Sequence, residues 1–519
     1  MDLTYLRRFA GPFQLALALS VAIASTEPPP DKSRQIAEGK ELFTRVWEPG
    51  DKRSFAGDGL GPVFNARSCA ECHKQGGVGG AGPQELNAMF VTAFVQSFDS
   101  RHRTLFGMVA NEAADQENPL KQPDRSKLAE IHPFLRTESS FPIHRLGRGQ
   151  EFSKWQGKLL SEFGKTLSRN AHWDDQKDAD TVIKVLASGA RPIRMTKRID
   201  GVNVALILSQ RNTPPLFGVG VIDKIPDEVL KSIAAEQARK AIAERRDSGN
   251  SNSALPVSGR VARLKDGRIG RFGWKGTVAT LREFTMQACS SELGLEIPGI
   301  PKSTPPWDSR YKSPGLDMTA EQCDALVEFV ASLPAPRLLP RTRAEDADQL
   351  LRGKEIFTEI GCASCHRPDL GDAKEIYSDL LLHDMGQSLS DAGNYGTNPI
   401  FVQTKDQANP LPVSDPPEKL AEKESHPKFG AGALEWRTPP LWGLRDSGPY
   451  LHDGRAKDID EAIGAHGGEG ANAARAYAKL DLQEQEKIRK FLLALAAPSD
   501  GNVSIDKTRP ILAPSARAK

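Results

Sequence analysis

The pentapeptide Cys69-Ala70-Glu71-Cys72-His73 occurs a second time as Cys362-Ala363-Ser364-Cys365-His366. Two cysteines three positions apart can each form a thioether to one haem vinyl, and the histidine directly after them can ligate the iron from below. The two copies predict two covalently bound c-type haems. Cys69, Cys72, Cys362 and Cys365 attach them, and His73 and His366 are axial iron ligands. The competing reading is one structural zinc held by four thiolates. A histidine at the same next position in both pairs, in a chain that carries export signals, argues against zinc.

Matching landmarks surround the two stretches. Gly39-Lys40-Glu41-Leu42-Phe43-Thr44 precedes the first, and Gly353-Lys354-Glu355-Ile356-Phe357-Thr358 precedes the second. After each comes Thr-Pro-Pro-Leu followed by an aromatic and a glycine, at Thr213 to Gly218 and Thr438 to Gly443. A weaker pair follows, Phe272 to Gly276 and Tyr450 to Gly454. Each half closes on a helix with apolar residues at helical spacing, Leu326, Phe329, Val330 and Leu333 before Pro334, and Ile488, Phe491, Leu492 and Leu495 before Pro498. The order predicts a mainly α fold of two cytochrome c-like haem domains related by internal duplication.

The expected divisions are a signal peptide at 1–24, an N-terminal haem domain at 25–336, a linker at 337–352, a C-terminal haem domain at 353–498 and a disordered tail at 499–519. The first domain is longer because of insertions. One lies before Thr213, with short strands near Val202 to Leu208. Another holds an amphipathic helix marked by Leu230, Ile233, Ala234, Ala238 and Ala241.

Of 519 residues, 69 are Lys or Arg and 67 Asp or Glu, so the net charge of +2 gives no reason to expect a nucleic-acid partner. Arg7 and Arg8, the apolar run Phe13 to Ala24 and the small-residue ending Ala22-Ile23-Ala24 read as a cleaved secretory signal. The run is shorter than the roughly 20 residues a spanning helix needs, so no membrane span is expected after cleavage. Haem attachment together with export suggests a bacterial periplasmic protein. Cys289 and Cys323 remain, as a disulfide or as two buried thiols.

The stretches Trp436 to Leu441 and Pro449 to Gly454 resemble the haem-domain signature of bacterial di-haem cytochrome c peroxidases and of the related enzyme that matures methylamine dehydrogenase. Tyr377 to Gly386 and Gly270 to Lys275 are similar to the di-haem oxidoreductases described as peroxidases or, on weaker grounds, thiol oxidoreductases. The resemblance runs from about 37 to 498 and is weakest over 100–200. It implies one haem for peroxide chemistry and one for electron transfer, with a distal ligand of the second haem supplied after the His452-Asp453-Gly454 motif.

In that region Ile459, Ala462, Ile463 and His466 share one helical face, which makes His466 the candidate sixth ligand, in competition with His383 and Met385. Matching Gly276 to Gly454 puts Ala288 where His466 stands, leaving the distal side of the first haem open to a substrate. One turn on, Glu292 resembles the family's catalytic glutamate and can move a proton between the peroxide oxygens. His102, His132, His144 and His172 are unassigned, any of them able to close that site. Trp274 and Trp442 are candidates to lie between the haems, Arg211 and Arg437 to contact propionates. The family often holds calcium, but no Asp-rich loop supplies its ligands here.

The leading expectation is a periplasmic di-haem peroxidase-like oxidoreductase that takes hydrogen peroxide or a small oxidisable substrate, with electrons from a small cytochrome c or a cupredoxin. Its alternatives are haem-dependent oxidation of an organic or protein substrate, a di-haem electron-transfer cytochrome with both irons closed, and thiol chemistry at Cys289 and Cys323.

Overall fold

The computed structural model describes residues 31–96, 124–136, 138–167, 182–186, 192–248, 255–308, 310–338, 344–391, 393 and 429–498. The expected signal peptide and tail, the end of the linker's proline-rich stretch, and His102 and His172 lie outside these residues.

Two crossed helix pairs frame the two Cys-x-x-Cys-His stretches. Lys32–Thr44 packs across Ala320–Ser332, and Ala344–Glu359 packs across Leu482–Leu492. Local chemistry starts three of these helices. Asp31 accepts from the Ser33 amide at 3.0 Å, Thr319 and Gln322 form a reciprocal capping box, and Asp481 accepts from the Glu484 amide at 2.8 Å. At the crossings Phe43 meets Phe329 with ring centres 5.3 Å apart, and Phe357 meets Phe491 at 5.4 Å. The residues expected to face inward, Leu326, Phe329, Val330, Ile488, Phe491 and Leu492, are all buried.

Glycine permits each close approach. A Cβ at Gly39 would lie 1.9 Å from the Ala325 carbonyl oxygen, and one at Gly353 would lie 2.1 Å from that of Lys487. Gly353→Ala gains about 1 kcal/mol of helix propensity and loses about 1–3 kcal/mol to overpacking against an unyielding backbone. We expect a net loss, read as a lower midpoint in thermal unfolding; an unchanged midpoint would mean that the helices part without cost.

The Thr-Pro-Pro-Leu segments do equivalent work in the two halves. Their prolines have fixed φ and no N–H, so the leucine supplies the first free amide after them. Leu216 donates to the Gly79 carbonyl at 2.7 Å, and Leu441 donates to that of Ile376 at 3.0 Å. Each following aromatic and glycine then meets its counterpart. Gly218 and Gly443 both have φ of 72°. A Cβ on Gly218 would come within 2.4 Å of the Trp442 ring, and one on Gly443 within 3.3 Å of the Phe217 ring. The contact is reciprocal, as between two copies of one surface.

The region before Thr213 holds more than short strands. Ser140–Ile143, Ala88–Gln96, Val202–Arg211 and Ile193–Ile199 form, in that order, a four-stranded antiparallel sheet. Helix Gly149–Leu167 lies against it, and Val91, Phe141, Leu160, Phe163, Leu206 and Leu208 make a core of their own. Helix Asp227–Ser248 forms as expected, burying Leu230, Ile233 and Ala241. The fold is thus helical with an appended sheet. Among the described residues no helix is long and apolar enough to cross a membrane.

Candidate functional site

Cys69–Cys72 is one helical turn, opened by Ser68, whose Oγ accepts from the Ala70 amide at 3.2 Å. His73 follows, its Nδ1 3.0 Å from the Gly80 carbonyl oxygen, and His366 places Nδ1 2.9 Å from that of Tyr377. A carbonyl can only accept, so each Nδ1 carries the proton and each Nε2 keeps its lone pair. Each accepting carbonyl directly follows the one pinned by the Thr-Pro-Pro-Leu amide, so the repeated motif orients the histidine. Burial pushes both imidazoles down to about 4, which keeps them neutral at neutral pH.

His466 comes to His366. Helix Ile459–Gly464 starts on Asp458, which accepts from the Glu461 amide at 2.8 Å, and it stops before His466, so this residue occupies the turn beyond the helix and not its face. The His466 Nδ1 is held 2.7 Å from the Ala462 carbonyl oxygen, and its ring centre lies 6.5 Å from that of His366. Burial again lowers its pKa. His383, a competing ligand in the sequence, has both nitrogens engaged: Nδ1 is 2.7 Å from Glu469 Oε2 and Nε2 is 2.9 Å from Asp379 Oδ2.

Glu292 lies near the end of helix Leu281–Leu293, which also carries Ala288. The Asn65 side-chain amide donates to Glu292 Oε2 at 2.7 Å, and the Asn65 backbone amide donates to the Glu292 carbonyl at 2.7 Å. Asn65 Oδ1 in turn accepts from the Arg145 amide at 2.9 Å. Burial raises the Cys69 and Cys72 thiols to about 12, and the Glu292 charge adds to the shift at both. The carboxylate is therefore close enough for its charge to reach the first cysteine pair.

The unassigned histidines separate. His132 is stacked on Phe141 with ring centres 4.3 Å apart, inside the sheet core. His144 is buried with Nε2 3.0 Å from the Ser291 carbonyl oxygen, next to Glu292. Among the described residues no histidine ring stands opposite His73 as His466 stands opposite His366.

Arg211 is not free for a propionate. It is paired with Asp391, both side chains almost wholly buried, and also donates to the Gly393 carbonyl at 2.6 Å. Arg437 differs: it is buried, and it donates to the Gly273 and Thr438 carbonyls at 2.8 and 3.3 Å. Burial lowers its pKa to about 10, so it stays a cation at neutral pH. The Trp442 ring packs on Gly218 and its indole donates to the Lys374 carbonyl at 3.2 Å, while the Trp274 indole donates to the Asn212 carbonyl at 2.9 Å. Cys289 and Cys323 are buried free thiols, with burial raising both, Cys323 to about 11. Such thiols are poor nucleophiles, which weighs against thiol chemistry.

The residues suit haem. Two imidazole–metal bonds of about 2.0–2.1 Å end to end put ring centres roughly 6–7 Å apart, the separation found between His366 and His466. The Tyr377 hydroxyl, in the loop that orients His366, is buried without a partner in the polypeptide. Neutral imidazoles behind cysteine pairs, with a carboxylate beside one pair, define a haem-dependent redox enzyme. The family model described as "Di-haem oxidoreductase, putative peroxidase" matches residues 193–398 and 411–495, and the chain belongs to that family.

The gamma subunit of hydrazine synthase from Kuenenia stuttgartiensis is 32% identical over 116 residues. The match covers 22% of this chain and 31% of that relative, so the chain spans about a third of its length. A xenon-pressurised structure of the Kuenenia stuttgartiensis hydrazine synthase aligns at 22% identity and TM-score 0.22, covering 35% of this chain and 57% of that one. A MauG-like protein associated with microbial copper homeostasis aligns at 18% identity and TM-score 0.26, covering 55% and 93%. Neither superposition is close enough to argue from.

Proposed function

We infer that this chain is a periplasmic di-haem c-type oxidoreductase that reduces hydrogen peroxide at its first haem with electrons passed through its second. The observation that carries the reading is an asymmetry. His366 faces a second imidazole, His466, while the corresponding helix of the first half offers Ala288 and, beside Cys69 and Cys72, the carboxylate of Glu292.

The two crossed helix pairs, the two carbonyl-bound histidines and the reciprocal glycine–aromatic contact support two cytochrome c-like haem domains, 25–336 and 353–498, related by internal duplication. Cys69 and Cys72 hold one haem by thioethers and Cys362 and Cys365 the other. His73 and His366 would each offer a free Nε2 to an iron, and His466 would offer a further imidazole nitrogen at the second site. Haem, when bound, supplies a redox-active iron at each site. Glu292 takes a proton from one peroxide oxygen and returns it to the other, so that water leaves. The whole reaction consumes two protons and two electrons and yields two waters. Asn65 holds the carboxylate, and the Arg437 guanidinium neutralises a propionate. The electrons come from a small cytochrome c or a cupredoxin.

The test is electron paramagnetic resonance and optical spectroscopy of the isolated protein, before and after peroxide. The expected result is a high-spin ferric signal beside a low-spin one, with the high-spin signal lost on adding peroxide. Two low-spin signals, indifferent to peroxide both as isolated and after partial reduction, would make the protein an electron-transfer cytochrome instead.

A further inference from the structure

The segment Asp379 to His383 finds no use in the reaction above, yet it is among the most deeply buried in the molecule. Asp379 is 0% and His383 1% exposed, and Glu469, at 6%, completes a chain of three ionisable groups. His383 sits between the carboxylates, with Nε2 2.9 Å from Asp379 and Nδ1 2.7 Å from Glu469. The same Nδ1 is 3.6 Å from Cys365 Sγ, the atom that becomes a thioether sulfur when haem is attached.

The packing holds this arrangement in place. Gln237 donates from one amide nitrogen to Asp379 Oδ2 at 2.8 Å and to the Ser364 carbonyl, inside the haem-attachment stretch, at 2.9 Å. Its Oε1 accepts from the Gly259 amide at 2.8 Å, and a Cβ on Gly259 would lie 2.4 Å from His383 Cε1. Glu469 accepts further from the Ser258 and Asp384 amides at 2.8 and 3.2 Å. Burial works against an imidazolium at His383. An attached Cys365 carries no charge, but a carboxylate oxygen lies on each ring nitrogen, so both N–H groups of an imidazolium find an acceptor, and the charge and hydrogen bond of Asp379 favour that form.

We propose that the buried Asp379, His383 and Glu469, seated against Cys365, set the reduction potential of the second haem. This rests on the reading that Cys362 and Cys365 attach that haem. The ferric iron carries one more positive charge than the ferrous, and charges in a water-excluded interior act on it with little screening. Each carboxylate therefore lowers the potential, the imidazolium raises it, and two carboxylates against one imidazolium lower it on balance. Arg437, the charged neighbour coupled to Asp379, donates to carbonyl groups and leaves the triad intact.

The experiment is a potentiometric titration of the full-length protein, following the low-spin signal of the second haem in Asp379→Asn, Glu469→Gln and His383→Gln variants. Covalent haem content is measured first by denaturing gel stain and mass. The expected result is an upward shift of that one midpoint in D379N and E469Q and a downward shift in H383Q, with the first haem's midpoint unmoved. Shifts of opposite sign follow charge, whereas mere loosening of the fold would move all three the same way. Unshifted midpoints, or shifts of one sign, in protein with both haems attached overturn the inference alone. Protein with no haem on Cys362 and Cys365 overturns the attachment reading and the inference with it.

Discussion

Replacing His466 with alanine is expected to convert the second haem from low-spin to high-spin ferric while the first haem's signal stays as it was. The expectation comes from the pairing of two neutral imidazoles, each anchored at Nδ1 to a backbone carbonyl and each left with Nε2, whose ring centres are 6.5 Å apart. No rearrangement of His383 can restore the sixth ligand, because both its nitrogens are held by carboxylates. A His466→Met variant should remain six-coordinate and have a higher potential, since methionine favours the ferrous state relative to histidine, within the roughly 0.8 V range that axial ligation spans. Peroxide turnover falls in the alanine variant, because the second haem no longer has the fixed coordination that fast electron transfer needs. A low-spin spectrum unchanged by His466→Ala would remove this histidine from the coordination sphere and point to Met385, which lies near it across Gly470.

The Cys-x-x-Cys-His stretches and the closing helices were legible because their chemistry is local. Cys69, Cys72 and His73 carry their meaning in their spacing, and Phe329 and Phe491 in a helical period. The Thr-Pro-Pro-Leu repeat was visible as a repeat. Its work, a leucine amide holding the carbonyl next to the one that orients His73 or His366, was not, because it joins Leu216 to Gly79 and Leu441 to Ile376. The sheet escaped for another reason. Ala88–Gln96 is apolar except for Thr92 and its last residue and lacks strict alternation, a pattern that a buried strand and a buried helix share. Arg211 looked like a propionate partner only while Asp391, 180 positions away, was out of sight. His466 comes to His366 although the helix ends at Gly464, since the second residue beyond a helix can still project from the same side. Asn65 left no signal at all, as its meaning lies in meeting Glu292.

Glu292→Gln is expected to lower peroxide turnover by about 10²–10⁴-fold, the usual worth of a positioned proton carrier, with both haem spectra intact. Glutamine keeps the shape of the side chain, and its carbonyl oxygen can still accept from the Asn65 amide, so packing and haem binding survive while the capacity to take a proton is lost. Asn65→Leu tests the same carboxylate from the other side. It leaves Glu292 chemically competent and removes the 2.7 Å hydrogen bond that aims it, so the loss should be smaller, roughly 10-fold to 10²-fold, as for a misplaced catalytic group. The order of the two effects carries the argument. A larger loss in N65L than in E292Q would mean that Asn65 matters for joining the helix end to the Arg145 segment and not for aiming a base. Full turnover in E292Q would hand the proton transfer to another group. The neighbouring imidazole is His144, whose Nε2 is already committed to the Ser291 carbonyl, so His144→Ala on the E292Q background would then decide whether any side chain of this site carries the proton.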